Sequence, residues 1–382
     1  MRGAMALNLR RFRKVRQLTQ QALADAAGIS RVAYRNIETG ASEAKASTLN
    51  ALAQALRVSV FDLLEEAPTM QSLRFRSLKS LTAQERAERD QIAVEVARWL
   101  RDYNELEDML DQRIAYRLDE IDARGSSPEE VAATAREHLS SPGGPTRPDI
   151  CGLLEQAGVK VRLSPSRMRA FFGLSVGPPD GGPAIAVNTA EEIPVERQIF
   201  TAAHELGHLL LHGDSYRTDR VDEDPLQEKE ANRFAAHFLM PPGEFSAEWE
   251  KNRGLHWIDA VLRTKRQFGV SYKTVLRRLV EGGLADDRIY PHFVDAYATR
   301  YGKRLAYREE PEAPVTVTKG EEPVALEWVD FHEDRLSQLV HDALDKGLIS
   351  IGRAAEILNV SLAMMRERIS EWGLFGCPIL KQ

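Results

Sequence analysis

The sequence has few cysteines and no long apolar segment. Its 382 residues include only Cys151 and Cys377, which lie far apart in the chain. Two such thiols exclude a disulfide scaffold and a cysteine-based zinc cluster. No stretch approaches the ~18 apolar residues that a membrane-spanning helix needs, and the N-terminus lacks the apolar run and cleavage site of a secretory signal. We therefore expect a cytoplasmic protein with no membrane segment.

The composition is that of an ordinary globular chain, but the charge is unevenly distributed. Hydrophobic residues make up 43% and charged residues 28%, and the length suits two or three domains. Residues 1–66 contain ten basic and six acidic residues, a balance of +4, whereas the whole chain has a net charge of −6, so the remainder carries −10. A small basic segment on an acidic body indicates that the N-terminal end binds a polyanion.

The strongest chemical signal is the pentapeptide His204-Glu205-Leu206-Gly207-His208, which lies in an apolar stretch typical of a central helix. On a helix the two histidines lie one turn apart on one face, where both imidazoles can bind one metal ion. Zinc held this way lowers the pKa of its water to about 7, and the neighbouring carboxylate can accept the proton. The pattern predicts a protease. The alternative is a buried amphipathic helix whose histidines make ordinary hydrogen bonds.

A second helical stretch offers a third ligand. It begins at Glu228, ends at a proline pair, and places Glu228 and Asn232 on one face, one turn apart. The segment from about Pro148 to Pro242 resembles the ImmA/IrrE family of zinc metallopeptidases. The matching motifs are Phe200-Thr-x-Ala-His-Glu-Leu-Gly-His-Leu-Leu-Leu-His and Glu-x-x-Ala-Asn-x-Phe-Ala-x-x-Phe-Leu-Met-Pro. The resemblance implies these roles: zinc ligands His204, His208 and Glu228, general base Glu205, and a ligand-orienting Asn232.

Two further polar residues, Glu230 and His212, are close enough in sequence to be considered as metal ligands. Glu230 lies roughly 200° around the helix from Glu228, so only one of the two carboxylates can face the metal. His212 continues the stripe of histidines beyond His208, but a straight helix carries it past the metal. We therefore interpret His212 as a structural residue.

The basic N-terminal segment has the pattern of a DNA-binding module. Thr19 and Ser30 each cap a predicted helix, and Gly28 marks the tight turn between the two helices. In the second helix, Tyr34 and Ile37 face inward. The outward side chains are of types that contact base edges or phosphates: Arg31, Val32, Arg35 and Asn36.

Residues 7–65 resemble the Cro/CI-type (XRE) helix-turn-helix domain. The resemblance implies base contacts from Gln20, Arg31, Val32 and Asn36, and an internal ion pair between Arg13 and Glu38. The sequence departs from the family at Tyr34, a usually aliphatic core position, and at Lys45-Ala46-Ser47, where a proline is common before the fourth helix. The alternative is a small helical bundle that contacts proteins.

We expect a mainly α fold with a small β-sheet (α+β). The predicted divisions are a helix-turn-helix domain at 1–66, a helical linker at 67–125, a zincin-like peptidase domain at 126–285, an irregular linker at 286–330 and a C-terminal helical module at 331–382. The linker forms one long helix or a helical hairpin, with a homodimer contact as an open alternative. The C-terminal module again has a helix-turn-helix pattern. Arg366 and Arg368 could contact DNA there, but a sensory or dimerising module explains it equally well.

Short strands are predicted at Val159–Leu163 and Ala184–Val187, ahead of the histidine helix. An edge strand of a peptidase can pair with an extended substrate, and we assign that role to Ala184–Asn188. Residues 212–226 are polar and acidic and predict a loop, which either favours a basic substrate or is simply solvated.

These patterns lead to two functional hypotheses. The first is a transcriptional regulator that binds double-stranded DNA and carries a zinc-dependent endopeptidase. The resemblance to the ImmA/IrrE family implies that its substrate is a helix-turn-helix repressor or a co-encoded partner, and its own segment 66–80 is a second option. The second is a DNA-binding regulator or antitoxin whose peptidase-like domain is a sensor or scaffold without turnover. An intact Glu205 argues against the second hypothesis.

Overall fold

The computed structural model describes residues 2–66, 70–77, 82–139, 149–166, 168, 171–213, 216, 224–306, 309–311, 326–327, 329, 331–332 and 335–374. No helix in these ranges is both long and apolar enough to cross a membrane. The chain forms two compact units. The first consists of Met1–Gln71, Ser77–Tyr103 and Met168–Phe171, and the second of Ser72–Arg76, Asn104–Arg167 and Phe172–Gln382.

Five helices begin the first unit: α1 (Arg2–Val15), α2 (Gln20–Ala26), α3 (Arg31–Glu38), α4 (Ala46–Leu56) and α5 (Val60–Leu64). The predicted caps are confirmed, because the hydroxyls of Thr19 and Ser30 accept hydrogen bonds from backbone amides in the first turns of α2 and α3. Gly28 has a φ of +67°, which a glycine adopts without strain in the turn between them. The buried side chains include Leu23 and Ile37, as expected.

A polar network lies inside this helical core. Glu38 accepts hydrogen bonds from Arg13 at 2.7 Å, from Tyr34 at 2.9 Å and from Gln20 at 2.5 Å. The predicted ion pair between Arg13 and Glu38 is therefore confirmed. Tyr34 is fully buried, and its hydroxyl has a charged acceptor, which explains how the core accommodates a tyrosine at this position.

A single helix, α6 (Ala83–Leu110), follows, so the hairpin alternative for this segment is wrong. Thr82 and Glu85 form a capping box at its start, in which each side chain accepts a hydrogen bond from the other residue's backbone amide. Its apolar side chains at helical spacing are mostly buried, including Val96, Trp99 and Leu106.

Four strands form one sheet: β1 (Leu73–Ser77), β2 (Lys160–Ser164), β3 (Phe171–Val176) and β4 (Ala184–Asn188). Their order is β1-β3-β4-β2, with β2 parallel and β3 antiparallel to β4. The predictions for β2 and β4 are confirmed. The assignment of Ala184–Asn188 as an edge strand is wrong, because β4 lies between β3 and β2. All five of its residues are buried, as its continuous apolar run requires of an interior strand.

The second unit also contains eight helices up to residue 301: α7 (Pro128–Leu139), α8 (Ile150–Gln156), α9 (Val195–Leu211), α10 (Pro225–Leu239), α11 (Pro242–Lys251), α12 (Trp257–Phe268), α13 (Tyr272–Glu281) and α14 (Ile289–Tyr301). The apolar helix α9 packs against α7, α10 and β4 and is central to the unit, as its composition predicts. Most of the acidic segment 212–226, for which we predicted a loop, lies outside the described residues.

The segment 286–330, which we expected to be irregular, contains the thirteen-residue helix α14. Phe293 and Tyr297 on this helix are buried in the same core as α12 and α13. The apolar residues of α14 therefore recur at helical spacing. We did not recognise this helix because polar and proline-rich residues follow it in the same segment. Residues 312–325 of the predicted linker lie outside the described part of the chain.

Three described helices lie within the segment predicted as a C-terminal helical module: α15 (Arg335–Asp345), α16 (Ile351–Ile357) and α17 (Leu362–Glu371). Ser350 and Ser361 cap the last two through their hydroxyls. Gly347, with a φ of +67°, follows α15 as a helix-terminating glycine.

Gly173 allows β3 to approach α9 closely. A Cβ at this position would lie 2.5 Å from Thr201 Cγ2 and 3.1 Å from the carbonyl oxygen of Ala186. We therefore expect Gly173→Ala to lower the free energy of unfolding by about 1–3 kcal/mol, as overpacked cores do. The control is Gly243→Ala in α11, where nothing lies within 4 Å of the added Cβ.

The control substitution should be neutral or stabilise by up to about 1 kcal/mol, because alanine is the better helix former. Urea unfolding of both variants measures the difference. Equal stabilities for the two variants would show that the strand and helix are not in tight contact.

Candidate metal centre

Helix α9 presents its two motif histidines from a buried face. His204 and Glu205 are fully buried, and His208 is 1% exposed. The Nε2 atoms of His204 and His208 lie 2.9 Å apart. Because the surrounding helix is apolar, these imidazoles need polar partners inside the protein.

Helix α10 brings a carboxylate to the same point. Glu228 Oε2 lies 3.3 Å from His204 Nε2, and Glu228 Oε1 lies 3.0 Å from His208 Nε2. The helices cross closely at Gly207, where a Cβ would lie 2.9 Å from the ring of Phe234. The sequence thus needs a glycine in α9 so that Glu228 can reach the histidines.

Among the described residues, His204, His208 and Glu228 form a group that could hold a metal ion, with ligand atoms all within 4.8 Å of one another. Two imidazole nitrogens and a carboxylate oxygen are the donor set of many three-ligand zinc sites, and the ligand atoms around tetrahedral zinc are about 3.3 Å apart. The separations of 2.9–3.3 Å therefore fit zinc.

The Nδ1 atoms of both histidines, which face away from the candidate centre, also have polar partners. His204 Nδ1 lies 3.1 Å from Oδ1 of Asn232, the residue that we predicted to orient a ligand. His208 Nδ1 lies 2.9 Å from His212 Nδ1, and His212 Nε2 lies 2.9 Å from Glu230 Oε2. When each Nδ1 donates its hydrogen outward, each Nε2 keeps a lone pair directed at the candidate centre.

The electrostatics favour the forms of these groups that bind metal. Burial lowers the pKa of His208 to about 4, which keeps the imidazole neutral near pH 7. Burial alone would raise the pKa of Glu228, but its contacts with the imidazoles of His204 and His208 outweigh burial and hold the pKa well below the usual range. Neutral histidines and an ionised carboxylate are the protonation states that bind a divalent cation.

The glutamate of the motif is fixed by a chain of hydroxyl groups. Ser175 Oγ on β3 donates to Glu205 Oε2 at 2.7 Å, and the Tyr216 hydroxyl donates to Ser175 Oγ at 2.8 Å. Burial raises the pKa of Tyr216 well above its ordinary value, so this hydroxyl stays a neutral donor. Sequence reasoning missed both residues, although Ser175 is the one hydroxyl in an otherwise apolar strand.

An arginine that no motif predicted also reaches the site. Arg74 on β1 donates to Gln227 Oε1 at 2.6 Å and to Glu228 Oε1 at 3.2 Å. The three residues belong to the second unit. No local pattern marks Arg74, because its role depends on a contact between segments 154 positions apart in the chain.

The residues predicted to contact DNA lie in the first unit. Arg31, Val32, Arg35 and Asn36 are all exposed on α3, and Val32 is 68% exposed. Gln20 is only partly exposed, because its amide donates to Glu38 inside the domain. Four of the five predicted contact residues therefore share an accessible helix, and Gln20 is the one with an internal partner.

Comparison with models of protein families gives two matches. The model of the IrrE N-terminal-like domain, in the peptidase M78 family, matches residues 154–280, and a helix-turn-helix model matches residues 9–63. The chain joins a helix-turn-helix domain to an IrrE-like domain. The fusion expected from the sequence is thereby confirmed. Strands β2, β3 and β4 and helices α9 and α10 belong to the IrrE-like segment, whereas β1 lies outside it. A search of curated proteins found no match.

The geometry of the IrrE-like domain predicts which carboxylate on α10 binds zinc. Glu228→Ala should weaken zinc binding more than Asn232→Ala, for which we expect about a 10- to 100-fold loss because only a ligand's orienting partner is removed. Glu230→Ala removes the other carboxylate on the same helix and should weaken zinc binding less than Glu228→Ala, because Glu230 contacts His212 and not the candidate centre. Zinc titration with a competing chelator measures the three affinities. A larger loss in Glu230→Ala than in Glu228→Ala would overturn the assignment.

Proposed function

We propose that the protein is a transcriptional regulator with a zinc-dependent endopeptidase. The observation that carries the proposal is the convergence of His204, His208 and Glu228 on one buried point, with Glu205 on the same helix. The matches to a helix-turn-helix domain and to an IrrE-like domain support both halves. His204, His208 and Glu228 would hold the zinc ion.

Zinc with three protein ligands supplies a Lewis acid that polarises a peptide carbonyl and lowers the pKa of the attacking water. Glu205 would accept the proton of that water and deliver it to the departing amine nitrogen. Ser175 supports this role, because its hydroxyl donates a hydrogen bond to Glu205 Oε2 and fixes the orientation of the carboxylate. The buried surroundings strengthen each of these electrostatic interactions.

The proposed substrate is a protein of the helix-turn-helix repressor class. A regulator that cleaves a repressor would couple proteolysis to transcription, and its own helix-turn-helix domain would place it at the same class of DNA site. Self-cleavage within residues 66–80 is the second candidate, favoured by Arg74 of β1, which contacts Glu228.

The DNA-binding half would use α3. Its exposed Arg31 and Asn36 suit the major groove, where arginine donates to guanine and asparagine pairs with adenine. The +4 balance of residues 1–66 supports contact with phosphates. Gln20 would reach a base only by giving up its hydrogen bond to Glu38.

Replacing the general base tests the enzymatic half. Glu205→Gln should keep zinc but lower the rate of cleavage by about 100- to 10,000-fold, the usual contribution of a general base. The substrates are the purified products of the neighbouring genes and fluorescently labelled casein. Wild-type protein with a full complement of zinc that cleaves neither substrate would favour a sensor or scaffold instead.

Substitutions on α3 test the DNA-binding half. Arg31→Ala and Asn36→Ala should each weaken binding to the promoter of the adjacent gene by about tenfold or more, since each base contact contributes ~1–3 kcal/mol. Asn50→Ala, at an exposed position on α4, is the matched control and should bind as tightly as wild type. A fluorescence anisotropy titration at fixed salt measures the affinities. Unchanged binding in both α3 variants would exclude α3 as the reading helix.

A further inference from the structure

The outer strand of the sheet comes from outside the IrrE-like domain. Strands β2, β3 and β4 lie within the matched residues 154–280, but β1 comes from the segment between the two matched domains. The strand order places β1 beside β3, at one end of the described sheet. A segment foreign to the IrrE-like domain therefore occupies the free edge of β3.

That edge lies beside the proposed active site. Ser175 of β3 donates to Glu205, and a Cβ on Gly173 of the same strand would lie 3.3 Å from Glu205 Cγ. An extended peptide bound by strand addition to β3 would therefore run along the catalytic residues. Strand β1 already makes this type of pairing.

The N-terminal end of β1 is held by hydrogen bonds between the backbone of Ser72 and the turn that follows β3. Ser72 accepts a hydrogen bond from the amide of Gly177 at 2.8 Å, and the Ser72 amide donates to Asp180 Oδ2 at 2.5 Å. A Cβ at Gly177 would lie 2.2 Å from Ser72 Oγ, so a larger residue at this position would force the Ser72 hydroxyl to move. These contacts lie on the turn that follows β3, apart from the metal ligands in sequence.

The middle of β1 is held by a charged contact. Arg74 bridges Gln227 and the proposed ligand Glu228, and its side chain is only 12% exposed. A partly buried guanidinium bound to a carboxylate makes stronger hydrogen bonds than a neutral pair. Arg74 is thus a side-chain anchor for β1 next to the candidate centre.

We propose that β1 occupies the position of the substrate backbone and inhibits the peptidase until a competing peptide displaces it. The competitor is an extended segment with a basic residue at the position of Arg74. This inference rests on the proposed function, and it adds both an internal inhibitor and a substrate preference to it.

Hydrogen exchange of the zinc-loaded full chain tests the displacement without requiring turnover. Arg74→Ala and Asp180→Ala remove anchors at separate points, and each should speed exchange of the amides in residues 171–177 on the order of tenfold. Arg288→Ala and Asp122→Ala remove the same side-chain types from exposed ion pairs and are the matched controls. Both controls should exchange at the wild-type rate.

Cleavage of labelled casein tests the inhibition. Arg74→Ala and Asp180→Ala should cleave it on the order of tenfold faster than wild type, because the open form is more populated. A synthetic peptide with the sequence of residues 71–77 should restore slow exchange in Asp180→Ala/Glu205→Gln, whereas the same peptide with alanine in place of Arg74 should not.

The outcomes separate this inference from the proposed function. If no variant cleaves casein but exchange and peptide binding respond as expected, the strand position stands and the peptidase proposal fails. The inhibitory role of β1 would be overturned if Arg74→Ala and Asp180→Ala both exchanged amide hydrogens at the wild-type rate. It would also be overturned if they exchanged faster but cleaved casein more slowly than wild type. If only Arg74→Ala has an effect, and that effect is a changed zinc affinity, Arg74 merely positions Glu228 and the inference is wrong.

Discussion

Two buried imidazoles and one carboxylate share a single point between α9 and α10, and the fold around them depends on satisfying these three groups. His204 and His208 would be costly in an apolar core without partners. Gly207 lets the helices cross closely enough for Glu228 to reach both nitrogens. The same close packing that gives the domain its core therefore also creates a set of donors suited to a divalent cation.

The polar contacts around this point extend outward in three directions. Asn232 and His212 hold the outer nitrogens of the histidines, Ser175 and Tyr216 hold Glu205, and Arg74 contacts Glu228. The first two sets of contacts fix the orientation of the two histidines and of Glu205. The third comes from a strand outside the IrrE-like segment, so the proposed inhibition and the proposed chemistry both involve Glu228.

Local signals predicted much of this structure. Helix caps such as Thr19 and Ser30 form where hydroxyl residues precede helical patterns, and His204 and His208 lie together because they are four residues apart on one helix. Strand β3 was missed because Gly173 and Ser175 interrupt its apolar run and a fully buried strand has no apolar-polar alternation. Strand β4 was predicted, but its assignment as an edge strand was wrong, because the neighbours of a strand depend on long-range pairing.

The contacts of Arg74 and Tyr216 could not be inferred from the sequence. Each joins residues far apart in the chain, and neither has a spacing that marks it. Their partners become apparent only after the sheet order and the crossing of α9 with α10 are known. Long-range contacts of this kind account for most of what the motifs did not predict.

The most direct test of the central claim is an anomalous difference map at the zinc edge from crystals grown with zinc. The account predicts one strong peak about 2.0–2.2 Å from the Nε2 atoms of His204 and His208 and from a carboxylate oxygen of Glu228. A peak coordinated by Glu230 or His212 in place of Glu228, or no peak between α9 and α10, would contradict it.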